Sequence, residues 1–313
     1  MPSFAVIILL TTAVIWGMTW LPLKILHDYG FNGIAISFWV YALMFIAISA
    51  FLWRYPTQIK QNWLALLGIL LFGGGALLAF NTSMIFGDVI RAMVLFYLLP
   101  LWGLIGGRLF LGEKITPIRS IGMGLSIIGA FLVVGGFNAF NSAPSWIDLL
   151  AISAGFLFAM NNVIFRATPE LPTVLKLNFM FLGTTLLALL ALLQMDLSIV
   201  PEVSSHAWLT LIGFAMIWML LANYGTQWAV TQMESGKSSI ILILELVTAV
   251  VSASLILGET MKPIEMFGGL LIFIAALLET LSARNKQQSN KKPVSQNVAA
   301  IPKSYLADQK LKD

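Results

Sequence analysis

One carboxylic acid stands alone in the middle of an apolar segment of this 313-residue chain. Glu245 interrupts the run "IILILELVTAVVSASLIL", and at helical spacing it shares one stripe with three hydroxyl residues, Ser238, Thr248 and Ser252. A carboxylate at the centre of a bilayer costs about 2.5–3.5 kcal/mol, so such groups usually face a cavity or a partner. We expect Glu245 to bind a substrate ammonium or to carry a coupling proton. The alternative is a protonated, buried side chain that serves packing alone.

Side-chain amides are the second polar feature of the apolar segments. In "LLANYGTQW", Gln227 is four positions from Asn223 and three from Tyr224, so a helix would cluster their side chains on adjacent parts of one face. Amides within a bilayer either line a polar path or join helices, at about 0.6–2 kcal/mol for each contact. The predicted substrate contacts from these segments are Asn81, Asn161, Asn162, Asn223, Tyr224 and Gln227.

Aromatic residues could form the walls of the same cavity. Trp16 and Trp20 are four positions apart, and Tyr97 lies in the middle of another apolar segment. An aromatic face holds an ammonium by cation–π attraction or an apolar group by stacking. The alternative is that they pack against other helices or anchor the protein at the membrane surface. We include all three in the predicted substrate site.

Two pairs of opposite charge precede apolar segments at matching places. Asp88 and Arg91 form the first pair, and Glu234 and Lys237 form the second. Each pair could be a salt bridge that breaks when its side of the protein opens. Each could equally be a helix start, where an acid favours the positive end of the helix dipole. We predict a gating role for these four residues and keep the capping alternative open.

The composition shows what kind of element must position these residues. The chain is 59% hydrophobic and 10% charged, with a mean hydropathy of +0.90, so its apolar surface must face lipid. A spanning helix needs about 20 apolar residues, and ten predominantly apolar windows of about that size occur, roughly at 4–23, 33–53, 64–85, 89–107, 118–137, 146–165, 173–193, 208–229, 238–257 and 264–282. They do not alternate as strands of a β-barrel would. The predicted fold class is an all-α integral membrane protein with ten transmembrane helices.

The basic residues predict the orientation of these helices. With the amino terminus in the cytoplasm, fifteen of the eighteen Lys and Arg lie on the cytoplasmic side, and only Lys24, Arg91 and Lys262 lie outside. Both termini are therefore predicted to be cytoplasmic. Residues 284–313 are basic and poor in apolar residues, which predicts a disordered cytoplasmic tail instead of a nucleic-acid-binding domain.

A repeated corner indicates duplication. "LGEKITP" at 111–117 returns as "LGETMKP" at 257–263, an offset of 146 residues, and in the predicted topology the two copies face opposite sides. An odd number of helices per repeat forces that inversion, and inverted repeats are common in secondary transporters. We therefore predict two inverted five-helix repeats, repeat A at 1–140 and repeat B at 141–283.

These motifs together resemble the EamA-type branch of the drug/metabolite transporter superfamily. The resemblance is carried by the ten windows, the pair Trp16 and Gly17, the central Pro100 and the two "LGE" corners. It implies a secondary carrier of the bacterial inner membrane that exports amino acids or related small metabolites by alternating access. One departure is Leu246, which stands where many members have a second proline. The two halves are therefore expected to kink differently.

Other functions stay open beside that expectation. Within the same superfamily they are a proton-coupled drug or cation antiporter and a flippase for lipid-linked substrates, and beyond it a channel-like facilitator. A membrane-embedded enzyme is disfavoured because His27 and His206, the two histidines, lie in loops and no phosphate-binding glycine loop occurs. We predict no catalytic residue, metal or cofactor. The expected partners are a small-molecule substrate and the lipid bilayer.

Overall fold

The computed structural model describes residues 2–112, 115–133, 145–232 and 235–291, and these residues form helices and connections but no strands. The α-helices within them are α1 (Pro2–Gly17), α2 (Trp20–Asp28), α3 (Gly33–Ser49), α4 (Pro56–Gln61), α5 (Trp63–Gly68), α6 (Gly74–Phe86), α7 (Val89–Phe96), α8 (Leu99–Leu111), α9 (Pro117–Val133), α10 (Trp146–Ala167), α11 (Thr173–Gln194), α12 (Ser205–Gly213), α13 (Leu220–Thr231), α14 (Ser235–Leu257) and α15 (Pro263–Lys291).

Within the residues that the structure describes, six helical stretches are long and apolar enough to cross a membrane: Phe4–Asp28, Trp63–Phe86, Val89–Leu111, Trp146–Ala167, Thr173–Gln194 and Ser205–Thr226. Four shorter apolar helices accompany them: Gly33–Ser49, Pro117–Val133, Ile241–Leu257 and Pro263–Leu278. Each predicted window falls on one of these stretches. The protein is thus an all-helical, multi-pass membrane protein, as predicted.

Two of the long stretches are interrupted in the middle. α1 ends at Gly17 and α2 begins at Trp20, while α7 ends at Phe96 and α8 begins at Leu99. Pro100 lies in the first turn of α8, where its missing N–H leaves no helical hydrogen bond unmade. By contrast, α14 runs without interruption through Leu246. The two halves kink differently, as the missing second proline led us to expect.

Two further stretches contain a widened, π-helical turn. The first is Ile69–Gly73, between α5 and α6, and the second is Phe214–Met219, between α12 and α13. Shifting the first by the offset of 146 residues places it on 215–219, inside the second. A π turn inserts an extra residue into a helix and is often found at functional sites. The same backbone deviation therefore occurs at corresponding places in both halves.

Glycines end the helices at both corners and allow close helix packing. Gly112 and Gly258 have φ values of 65° and 68°, the left-handed conformation that closes a helix. Pro117 and Pro263 then begin α9 and α15. These two helices pack against each other along their length. A Cβ on Gly129 would lie 2.6 Å from a backbone oxygen of α15, so the contact requires a residue without a side chain.

Candidate functional site

The interruption in the first stretch lies directly against Glu245. α1 packs on both α13 and α14, and a Cβ on Gly17 would lie 2.6 Å from the backbone oxygen of Glu245 and 2.6 Å from Cβ of Thr248. Only glycine permits this approach. Because α1 ends here, the broken end of the helix lies beside the acid predicted to bind substrate or a coupling proton.

The interruption between α7 and α8 reaches the same place. Tyr97 follows the last residue of α7, and its hydroxyl donates a hydrogen bond to the backbone oxygen of Leu242, 3.0 Å away on α14. The carboxylate of Glu245, one turn further along α14, lies beside that hydroxyl. Two broken helices of the first half therefore meet one continuous helix of the second half at Glu245.

Three tryptophans tie the first stretch to the second half through their indole N–H groups. Trp16 Nε1 donates to Thr226 Oγ1 at 3.2 Å, and Trp20 Nε1 donates to Ser252 Oγ at 3.0 Å. The third bond runs in the reverse direction, since Trp218 Nε1 donates to Thr19 Oγ1 at 3.2 Å. We call the whole group the central cluster; its members are Trp16, Gly17, Thr19, Trp20, Tyr97, Trp218, Thr226, Glu245, Thr248 and Ser252.

Several members of the central cluster were not predicted from the sequence. Thr19, Trp218 and Thr226 enter only because the helix interruption and the second π turn bring them together. The sequence did show a tryptophan and two hydroxyl residues within the apolar segments, but such residues are common in membrane helices and do not by themselves indicate a site. Chemically, the cluster offers one carboxylate, aromatic faces and hydroxyl groups. These groups suit a ligand with an ammonium group and an apolar body.

The predicted amides lie mainly in contacts between helices. Asn81 is buried and donates to Ser37 Oγ of α3 at 3.3 Å. Asn161 is also buried, and its Nδ2 lies 3.9 Å from Met180 Sδ of α11. Asn223 donates to the oxygen of Met219 within its own helical stretch, at 2.9 Å. The contacts of Asn81 and Asn161 are those expected of amides that join helices, whereas the bond of Asn223 stays within one helical stretch.

Three polar residues of the predicted site remain: Asn162, Tyr224 and Gln227. Asn162 is half-buried on α10. Tyr224 is 68% exposed and lies near Leu221 and Ile217, exposed apolar residues at helical spacing, so it belongs to an apolar outer face. The side chain of Gln227 lies outside the described part of the structure. The structure therefore does not bring Tyr224 to the central cluster.

The charged pair before α7 has a different arrangement from a simple salt bridge. Asp88 Oδ1 accepts a hydrogen bond from the backbone N–H of Arg91 at 2.8 Å, so Asp88 caps the helix. The Arg91 guanidinium instead pairs with Asp148, Nε to Oδ1 at 2.7 Å and Nη2 to Oδ2 at 2.8 Å. A longer contact of 3.4 Å joins Arg91 Nη1 to Glu265 Oε1.

Neither Asp148 nor Glu265 was singled out in the sequence. Both are acids in the first turn of a helix, of α10 and α15 respectively, and the predicted topology places both helix starts on the same side as Arg91. Their shared position on the predicted side of Arg91 was the feature of the sequence that could have indicated these ion pairs. The second predicted pair cannot be compared, because Glu234 and the side chain of Lys237 lie outside the described residues.

Two more charged residues approach the same helix start. Glu259 Oε2 accepts a hydrogen bond from the backbone N–H of Ile90 at 3.1 Å, and Lys24 Nζ donates to the oxygen of Gly87 at 3.2 Å. Burial raises the pKa of the Glu259 carboxyl above its ordinary value, against the lowering effect of backbone N–H donors. We call Lys24, Asp88, Arg91, Asp148, Glu259 and Glu265 the α7-start cluster.

Comparison with known proteins identifies the family. The model of the EamA-like transporter family matches residues 3–135 and again residues 145–281. A "Probable terminal-alkyne amino-acid exporter" of Streptantibioticus cattleyicolor is 26% identical over 286 residues, which cover 88% of this chain and 93% of that protein. The "Uncharacterized transporter YoaV" of Bacillus subtilis is 22% identical over 293 residues, covering 88% and 96%.

A protein solved by crystallography has the same fold, with a TM-score of 0.58 and 20% identity over 90% of this chain and 98% of that one. The curated relatives are named as transporters and not as enzymes. With the family model matching most of the sequence, this multi-pass membrane protein belongs to the EamA-like transporter family.

Proposed function

We propose that the protein is a secondary carrier that exports amino acids or related small metabolites across the bacterial inner membrane by alternating access. The central cluster is the observation that carries this proposal. Discontinuous helices that meet at the interface of two repeats are where secondary transporters bind their substrates, and here two such helices meet Glu245. The name of the 26% identical relative, a probable amino-acid exporter, supports an amino acid as the substrate.

The repeat organisation is part of the same proposal. We propose ten spans, in repeats at 1–140 and 141–283, followed by a cytoplasmic tail at 284–313. The first part of this tail, 284–291, is the helical end of α15 and not disordered as predicted. Two observations support the repeats: the family model matches the chain twice, in stretches close to these repeats, and a π turn recurs at the same offset. Such repeats, related by inversion, provide one gate on each side of a central site.

Within the central cluster we assign the substrate contacts to four predicted residues, Trp16, Trp20, Tyr97 and Glu245. The carboxylate of Glu245 would hold an ammonium group, and the aromatic faces would cover it and stack on the apolar part of the substrate. The amides Asn81 and Asn161 contact neighbouring helices, whereas Asn223 bonds within its own helical stretch. We leave Tyr224 out, since it lies on the exposed apolar face.

The α7-start cluster is the proposed outer gate. Arg91 joins α7 to α10 through Asp148 and to α15 through Glu265, so these three helix starts cannot separate while the ion pairs hold. The excess of basic residues on the other side supports placing this end outside and both chain termini in the cytoplasm. We propose the matching inner gate at Glu234 and Lys237.

A proton-coupled cation antiporter is the second candidate. It is favoured by one feature of the central cluster: among the described side chains, the cluster contains the acid Glu245 but no basic group to bind a substrate carboxylate. An amino acid would need its carboxylate held by hydroxyl groups, indole N–H groups or a helix start, whereas a monovalent organic cation needs only Glu245 and the aromatic faces.

A substrate screen followed by counterflow separates these functions. Cells that overproduce the protein would be compared with cells that produce the Glu245→Gln variant, and metabolites in the medium would be measured by mass spectrometry. We expect amino acids to accumulate outside only with the unaltered protein. In liposomes, unlabelled substrate inside should accelerate uptake of labelled substrate, as in a carrier. Uptake that is not accelerated, with ionic current, would indicate a channel and overturn the proposal.

A further inference from the structure

We propose that Glu259 is a positioning residue of the outer gate: its carboxylate holds the start of α7 when the outer side is closed and releases it when that side opens. This inference rests on the proposed alternating-access function, although its test does not require the substrate to be known. Glu259 is the acid of the second repeated corner, "LGETMKP". The repeated motif by itself does not predict that Glu259 contacts α7.

The contact joins parts of the chain that are far apart in sequence. Glu259 lies in the connection between α14 and α15 and reaches the backbone N–H of Ile90, 169 positions earlier, at 3.1 Å. The first N–H groups of a helix have no partner within the helix and must find one elsewhere. Asp88 supplies a local partner for the N–H of Arg91. Glu259 supplies a partner for Ile90 from the other half of the protein.

This bond differs from the cap that Asp88 provides. An acid at position 88 moves with its own helix, so its bond survives any rigid movement of α7. The bond from Glu259 can persist only while α7 stays next to the connection between α14 and α15. Glu259 is only partly exposed, and its carboxylate bonds to the backbone N–H of Ile90. This bond therefore depends directly on the position of the start of α7.

The neighbouring contacts make the same helix start a junction between the halves. Lys24 of α2 donates to the oxygen of Gly87, which precedes α7. Arg91 reaches Asp148 of α10 and Glu265 of α15. Of these contacts, those of Glu259 and Glu265 cross to the corner and helix that end the second half. Asp148 of α10 also belongs to the second half, so opening the outer side by parting the halves must break the contacts of Glu259, Glu265 and Asp148. Among these, the bond of Glu259 ends on the backbone of α7.

The chemistry of the bond allows a selective test. A glutamine at position 259 keeps an oxygen at the same distance and can accept the same hydrogen bond, whereas an alanine cannot. An aspartate keeps the negative charge but is shorter by one methylene group, so it cannot reach Ile90 without moving the connection. The variants thus separate the effect of the hydrogen bond from the effect of charge.

The experiment uses a cysteine at position 252, since the natural chain has none. Ser252 is buried in the central cluster, where its Oγ accepts the bond from Trp20. In Ser252→Cys protein in intact cells, a membrane-impermeant maleimide reaches this thiol only when the outer side opens. We expect Glu259→Ala to raise the labelling rate about tenfold, the effect expected for loss of one hydrogen bond to a charged group.

Glu259→Gln should label within about twofold of the parent, because the acceptor remains. Glu259→Asp should label faster than the parent, although less so than the alanine variant, and it serves as the test if the alanine variant does not fold. Glu202→Ala, which removes an exposed acid from the connection between α11 and α12, is the matched control and should label like the parent.

Three results would overturn the proposal. The first is labelling of the alanine and aspartate variants at the parental rate. The second is an equal rise for alanine and glutamine, which would show that charge and not the hydrogen bond matters. The third is the same rise in the Glu202→Ala control. If labelling behaves as expected but liposomes show no counterflow, the gate stands and the proposed carrier function fails.

Discussion

Arg91 and Asp148, 57 positions apart, face each other in the first turns of α7 and α10 and form two parallel hydrogen bonds of 2.7 and 2.8 Å. Lysine cannot replace arginine in this geometry, since only the guanidinium presents two donors side by side. Asp148 is 4% exposed, so the carboxylate depends on this partner for its charge to be tolerated. The pair therefore fixes two helix starts relative to each other.

Asp148→Asn should destabilise the protein, because the guanidinium of Arg91 loses its closest carboxylate. Arg91 is partly exposed, which limits the loss to about 1–3 kcal/mol. The measurement is thermal unfolding of the purified protein in detergent. Asp196→Asn is the matched control: Asp196 is exposed in a connection, and asparagine tolerates its positive φ of 52°. Equal melting temperatures for both variants would mean that the ion pair contributes nothing.

Gly17→Ala should impair the central cluster, since the added Cβ would lie 2.6 Å from both the oxygen of Glu245 and Cβ of Thr248. α1 would have to move away from α14. We expect a loss of about 1–3 kcal/mol in stability and a large loss of transport. Gly103→Ala in α8 is the control, because its Cβ would meet nothing within 4 Å, and alanine favours a helix. Normal transport by Gly17→Ala would contradict the close approach.

Glu245→Gln tests the role of the central acid by keeping the shape and fixing the neutral form. If the acid couples transport to protons, uptake driven by a pH gradient should disappear while substrate exchange remains. If it binds an ammonium, both should fall, by about tenfold or more for a lost charged contact. The assay is uptake into liposomes with and without a pH gradient at equal protein amounts. Unchanged rates in both conditions would end the functional assignment of Glu245.

Closure of the outer side should depend on external pH through Glu259. Burial raises the pKa of this carboxyl in the structure, and the neighbouring charges are Asp88, which raises it, and Lys24, which lowers it. When the outer side is open, water would surround the Glu259 carboxyl, and its pKa would be the ordinary value of about 4.3. Closure would then take up a proton. Acid should favour closure, and this stabilisation should be lost as the pH rises through the raised pKa.

The labelling rate of the Ser252→Cys protein from outside, normalised to an exposed Ser204→Cys protein, should therefore rise as the pH increases from the ordinary pKa of a glutamate through the raised pKa of Glu259. Glu259→Gln, which has no titrating group at that position, should flatten the profile. Profiles that are identical for the parent and for Glu259→Gln would show that another group controls the pH dependence.

The orientation of the chain can be tested with reporter fusions. From the distribution of Lys and Arg, a reporter after residue 140 should be outside the cell and one after residue 283 should be in the cytoplasm. Alkaline phosphatase is active in the first location and green fluorescent protein in the second. The reverse result at both positions would place the α7-start cluster on the cytoplasmic side.

Local features of the sequence predicted the fold well, whereas contacts between distant residues could not be predicted. The corner glycines, the prolines that begin α9 and α15, and the interruption near Pro100 follow from backbone chemistry that is readable from neighbouring residues. The partners of Arg91 lie on other helices, and nothing in its neighbourhood distinguishes Asp148 from any other acid near a helix start.

Tyr224 illustrates a second limit. Adjacent helical residues point about 100° apart, so one of Asn223 and Tyr224 can be buried while the other is exposed. The sequence offered both as polar candidates, and tertiary packing decided between them: Asn223 is buried and Tyr224 is exposed. The π turn at Phe214–Met219 adds to the difficulty, because an extra residue changes which face of the following helix meets its neighbours.

The two π turns bear on the history of the protein. A π turn contains one residue more than a regular α-helix needs. The π turns at Ile69–Gly73 and Phe214–Met219 correspond at the offset of 146 residues that also aligns the two corners. Two independent insertions at the same site would be a coincidence. If the proposed repeats arose by duplication of a five-helix ancestor, a single insertion before that duplication accounts for both π turns.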